Sequence, residues 1–151
     1  MANRPTNPTL AQIREICQPV SITGRANSEH WVADVYLRSI SPYLTKLLLK
    51  TSITANGVTY LMILSGIAIS ASLLISGWTG LLLALFFSQL QMLWDCCDGE
   101  IARWRQSSSP MGVFLDRIGH YLAEGLIPIA FGFRLATEGN YLYPLMGALL
   151  S

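Results

Sequence analysis

TSITANGVTYLMILSGIAISASLLISGWTGLLLALFFSQLQMLWDCCDGEIARW (residues 51–104) decides the fold. Its first 44 residues, Thr51–Trp94, contain no Asp, Glu, Lys, Arg or His. A helix crosses a hydrocarbon core of roughly 30 Å with about 20 apolar residues, so this run is long enough to cross and return. Inside lipid the backbone must satisfy its own polar groups, and an open stretch of chain does so only as helix. Thr54-Ala55-Asn56 offers an N-cap, Gly57–Trp78 reads as a first span of 22 uncharged residues, and Gly77-Trp78-Thr79-Gly80 is expected to form a tight turn. Neither Pro nor Gly lies between 81 and 98, so the second helix is expected to continue towards Arg103. That continuation places Asp95 and Asp98 at its exit end, where an unassisted charge is costly.

The rest of the chain agrees with a membrane protein. It is 52% hydrophobic and 13% charged, and a net charge of +1 leaves no basic footprint for nucleic acid. Cys17, Cys96 and Cys97 form neither an even disulfide framework nor a CxxC pair, and read as reduced, small apolar residues. The first thirty residues hold no apolar run of the signal-peptide kind, so insertion is expected to use the internal segments. Residues 1–29 read as a polar cytoplasmic extension with one short helix around Leu10–Cys17. From 30 to 50, Trp31, Val32, Val35, Tyr36, Ile40, Tyr43, Leu44, Leu47 and Leu48 recur at three- and four-residue steps, with Arg38, Lys46 and Lys50 among them. This predicts an amphipathic helix in the headgroup layer, bent at Pro42; the same pattern also suits a helix packed on its own protein. Residues 51–151 form the membrane domain. A third span is expected from Ser109-Pro110 to about Phe133, and Tyr141–Ser151 starts a fourth that is about half a crossing long. The chain is therefore expected to be the front part of a longer protein. Arg103, Arg105 and Arg117 lie towards one side and Arg134 towards the other, so the positive-inside rule puts the N-terminus and Asp95–Ser109 in the cytoplasm.

On a helix, Asp95, Asp98, Gly99 and Ala102 share one face, and Gly112, Asp116, His120 and Glu124 share a face of the next. Two antiparallel helices joined by a short loop would turn these faces together, around three carboxylates, an imidazole and a glycine–alanine floor. Carboxylates so grouped need a cation, and an oxygen-rich set favours Mg²⁺ or Mn²⁺, one ion or two. Such a site commonly receives a phosphate-bearing substrate. Each residue alone also has an ordinary reading: Asp95 or Asp98 paired with Arg103 or Arg105, Asp116 favouring a helix dipole, His120 a satisfied polar residue of the core.

The spacing Asp95-x2-Asp98-Gly99-x2-Ala102-Arg103-x8-Gly112-x3-Asp116-x3-His120 resembles the signature of the CDP-alcohol phosphotransferase family, whose pattern ends in a fourth Asp where His120 stands. Seven of the eight defined positions match. Thr54-Ala55-Asn56-Gly57-Val58-Thr59 is similar to the family's Thr-Pro-Asn-x-x-Thr, with Ala55 for Pro. The resemblance implies an all-α, polytopic membrane bundle of six spans, of which three and the start of a fourth are present. It implies an enzyme of phospholipid biosynthesis that transfers a phosphoalcohol from a CDP-linked donor, such as CDP-diacylglycerol, to an acceptor hydroxyl and releases CMP. Position by position, it makes Asp95, Asp98 and Asp116 metal ligands, and Gly99, Ala102 and Gly112 the lining of the cytidine site. Arg103 is either a phosphate contact or a positive anchor. The family also implies a homodimer.

His120 occupies the position at which the family places the base that deprotonates the acceptor. An imidazole can serve as that base or join the metal's ligands. Glu124, roughly 20 Å into its helix at 1.5 Å per residue, is expected to orient His120 or to be the base itself. Pro128 frees the carbonyl of Glu124 and predicts a bend there. The alternative to turnover is an inactive relative, a membrane scaffold that binds nucleotide and metal.

Overall fold

The computed structural model describes residues 4–5, 7–19 and 36–137. Among them are five helices and no strand: α1 (Leu10–Cys17), α2 (Arg38–Leu49), α3 (Ala55–Leu73), α4 (Gly77–Arg105) and α5 (Pro110–Ala136). The expected fourth apolar segment, 141–151, and residues 30–35 of the expected surface helix lie outside the described residues.

Three of the five helices, α1, α3 and α5, start where the sequence supplies a side-chain cap. Thr9 and Gln12 form a reciprocal capping box at α1. Thr54 Oγ1 accepts from the Gly57 amide at 3.1 Å, and Ser109 Oγ accepts from the Gly112 amide at 3.1 Å with Pro110 at the first helical position. α4 ends in paired bonds, Ser107 amide to Ala102 carbonyl and Gln106 amide to Arg103 carbonyl, with Gln106 at φ 54° in the left-handed region.

The first turn between spans departs from expectation. α3 stops at Leu73, the turn occupies 74–76, and Gly77–Gly80 is already the first turn of α4. Gly77 supplies the positive φ of 77°. Gly80 serves packing instead, since a Cβ there would run into the carbonyls of Ser72 and Ile75. α3 and α4 are both long and apolar enough to cross a membrane. At 1.5 Å per residue, the 29 residues of α4 reach about 43 Å, well beyond a hydrocarbon core of roughly 30 Å. α5 has the length of a span but carries Asp116, Arg117, Glu124 and Arg134, and it continues through Pro128.

The chain divides into two compact units, Met1–Thr59 with Met92–Val113, and Tyr60–Gln91 with Phe114–Ser151. In the first, Ile13, Cys17 and Trp104 form one buried cluster, and Val58, Cys97 and Ile101 form another against Leu44, Leu48 and Ile53. In the second, Ile69, Leu73, Ala84 and Ala130 are buried with Phe87 and Ile127 packed on them. The second unit also exposes Trp78, Leu82, Leu85 and Phe86, an apolar surface suited to lipid.

α2 is amphipathic, with a division the spacing alone does not reveal. Tyr36, Ile40, Tyr43 and Leu47 are exposed, while Leu37, Ser41 and Thr45 are buried. The small polar residues face inward because a carboxylate waits for them there.

Candidate metal and nucleotide site

In the first unit the last three turns of α4 have two faces. The back, with Cys97, Ile101 and Trp104, is buried. The front holds the half-buried Asp95, Asp98, Gly99 and Ala102. Asp98 Oδ2 accepts from Thr59 Oγ1 of α3 at 2.7 Å. Thr59 is thereby tied to the site, although the sequence pattern assigns it no role. A Cβ on Gly99 would lie 3.1 and 3.2 Å from the two terminal nitrogens of Arg103, so the guanidinium lies across that glycine. Arg103 Nε donates to the Cys17 carbonyl at 2.6 Å. Arg4 in turn donates to the carbonyls of Arg103 and Trp104. A Cβ on Gly112 would stand 3.1 Å from Asn56 Oδ1. Filling either glycine would crowd a polar side chain, Arg103 at the first and Asn56 at the second.

In the second unit Asp116 and His120 are neighbours along α5, with His120 Nε2 3.5 Å from Asp116 Oδ1. That oxygen is buried and has no hydrogen-bond partner. With only the imidazole 3.5 Å away, this oxygen would gain from a cation, either a protonated His120 or a metal ion. Asp116 and His120 each offer a ligand atom, and the carboxylate is a ligand that Mg²⁺ or Mn²⁺ accepts. Glu124, expected to orient His120 or to be the base itself, is exposed on the same helix. Beside it, Ala123 packs in the small space at Gly66, where a Cβ would lie 3.1 Å from the Ala123 methyl and 3.2 Å from Gln91 Nε2.

Sequence reading passed over Glu100. It is 1% exposed, and its carboxylate accepts from three side chains of the first unit: Gln18 Nε2 at 2.8 Å and Ser41 Oγ at 2.6 Å on Oε1, and Thr45 Oγ1 at 2.6 Å on Oε2. A signal was present. Glu100 falls on the apolar back face with Cys97, Ile101 and Trp104, and Ser41 and Thr45 are one turn apart on α2.

The sequence profile of the CDP-alcohol phosphatidyltransferase family matches residues 52–149. No curated protein matches the chain. The profile match takes in 98 of the 151 residues, among them Thr59, the aspartates of α4 and the Asp116–His120 pair of α5. On this extent the chain belongs to the CDP-alcohol phosphatidyltransferase family, membrane transferases that use a divalent metal to move a phosphoalcohol group in lipid synthesis.

Proposed function

We propose that this chain transfers a phosphoalcohol group from a CDP-linked donor such as CDP-diacylglycerol to an acceptor hydroxyl, on the cytoplasmic side of the membrane. The new bond joins the acceptor oxygen to the donor's distal phosphorus, and the bond from that phosphorus to CMP breaks. Asp95, Asp98 and Asp116 would hold Mg²⁺ or Mn²⁺, with His120 as a further ligand or as the base. When bound, the metal would polarise the pyrophosphate and stabilise the charge on departing CMP. Gly99, Ala102 and Gly112 would let the cytidine approach the helix backbones. Arg103 would present its terminal nitrogens to a phosphate while its Nε stays on the Cys17 carbonyl. As base, His120 would take the acceptor's proton at Nε2, beside the Asp116 carboxylate.

The observation that most supports this reading is the Asp116 oxygen, buried and without a hydrogen bond beside His120, at a position where the family signature has a metal ligand. The test is CMP release from CDP-diacylglycerol with glycerol phosphate or inositol phosphate as acceptor, with Mn²⁺ and with chelator. Asp98→Asn should cut the rate by at least about 100-fold, as removal of a group acting in the transition state does. CMP release unaffected by both chelator and mutation would refute the reading. The His at the end of the signature favours one alternative, a relative that binds nucleotide and metal without turnover. Metal-dependent donor binding with no CMP, and turnover gained by His120→Asp, would establish that alternative.

A further inference from the structure

We infer that Glu100 is a positioning residue for the aspartate turn of α4, an inference that rests on the metal reading of Asp95 and Asp98. Glu100 lies five residues after Asp95 and two after Asp98, on the opposite face of the same helix. Both of its carboxylate oxygens are engaged, and the three donors come from two elements: Gln18 just past α1, and Ser41 and Thr45 on α2. Gln18 is itself fixed, since its Nε2 also donates to the Arg38 carbonyl at 2.7 Å. The back of α4 is thus pinned to elements that do not carry the site, while Thr59 holds Asp98 on the front.

Stability alone does not explain a buried carboxylate here. A well-packed apolar residue in place of a buried polar or ionic network is often as stable or more so. Apolar contacts are non-directional, however, and tolerate a small rotation of the helix that a saturated hydrogen-bond network resists. Rotation matters at this site. With carboxylates about 6 Å from the helix axis, a turn of about 10° carries their oxygens roughly 1 Å, against a tolerance of about 0.2 Å in metal–ligand distance. Glu100 therefore sets the angle at which α4 presents Asp95 and Asp98.

The experiment is Mn²⁺ binding, read by electron paramagnetic resonance, to the whole chain in phosphatidylcholine–phosphatidylglycerol bilayers, with thermal unfolding measured alongside. Glu100→Leu should keep or raise the unfolding midpoint and weaken Mn²⁺ about tenfold, the low end of losses from groups behind a metal ligand. Glu100→Gln keeps an acceptor for Gln18 and Ser41 and can donate to the Thr45 hydroxyl, so it should restore affinity to within about threefold. Thr45→Val removes one donor without changing shape. It should shift affinity in the same direction by about threefold, and it answers the question even if Glu100→Leu does not fold. Wild-type affinity in Glu100→Leu, or in Thr45→Val where Leu fails, overturns the inference. Asp98→Asn separates the two levels. If it binds Mn²⁺ as the wild type does, or if the wild type binds none, the metal reading itself falls and the role of Glu100 falls with it.

Discussion

Asp98 shows what one hydroxyl can contribute to a carboxylate. An aspartate on an isolated helix samples several rotamers, and a metal needs one of them. Thr59 Oγ1, at 2.7 Å from Asp98 Oδ2 and 3.2 Å from the Ala55 carbonyl, has a single proton to give. The shorter contact goes to the charged acceptor, where a hydrogen bond is stronger. Thr59→Val keeps the β-branched shape and removes the donor. It should weaken Mn²⁺ binding about tenfold, with helix content unchanged by circular dichroism. An unchanged affinity would mean that Asp98 keeps its orientation without Thr59. The aspartates themselves were legible in the sequence because their spacing is short and helical. Thr59 and Glu100 were not assigned, because their partners lie 39 and at least 55 residues away, and periodicity along one helix says nothing about what another element brings to it.

At the scale of elements, Arg134 has the same logic at the other end of the spans. It is a cation in a segment otherwise expected to face away from the positive side, and it is 8% exposed. Its guanidinium donates to the carbonyls of Leu73 at 3.2 Å, Ile75 at 2.5 Å and Gly77 at 2.7 Å. The Leu73 carbonyl is left open where α3 ends, that of Ile75 lies in the turn, and that of Gly77 opens α4; a cation also suits the negative end of the α3 dipole. Arg134→Met fills similar volume but leaves those carbonyls short of donors in an apolar setting. It should cost about 2 kcal/mol, in the range for a hydrogen bond to a charged group, read as a lowered unfolding midpoint in detergent. No loss would show that water or lipid headgroups satisfy the turn. The starts of α3 and α5 were legible because Thr54 and Ser109 carry their caps locally. The position of the α3–α4 turn was not, because two glycines four residues apart look alike in sequence. One of them, Gly77, is needed for its dihedral angle; the other, Gly80, is needed for close packing.

For the whole molecule, α4 offers the cleanest test of orientation, because the turn at 74–76 and the loop at 106–109 lie at its two ends. Arg103 and Arg105 are near the loop, and both are tied to the backbone there: Arg105 donates to the carbonyls of Ile53 and Thr51, the latter at 2.9 Å. Their charge still counts towards the positive-inside rule, on which the proposed cytoplasmic placing of the loop rests. Single cysteines at Ser107 and Ile75, both exposed, would report this with a membrane-impermeant maleimide. Two of the native thiols, Cys17 and Cys97, are buried, and Cys96→Ala removes the half-buried third. Burial pushes the Cys17 thiol up to about 11, so roughly one molecule in 10⁴ carries the thiolate at neutral pH, and labelling there should be negligible until the pH approaches that value. In intact cells Ile75→Cys should react and Ser107→Cys should not; in inverted vesicles the pattern should reverse. Reaction of Ser107→Cys from outside would invert the orientation and move the proposed CMP-releasing face away from the cytoplasm. Reaction of both from one side would mean that α4 does not cross the bilayer, leaving its aspartate turn without the interface that the proposed donor requires.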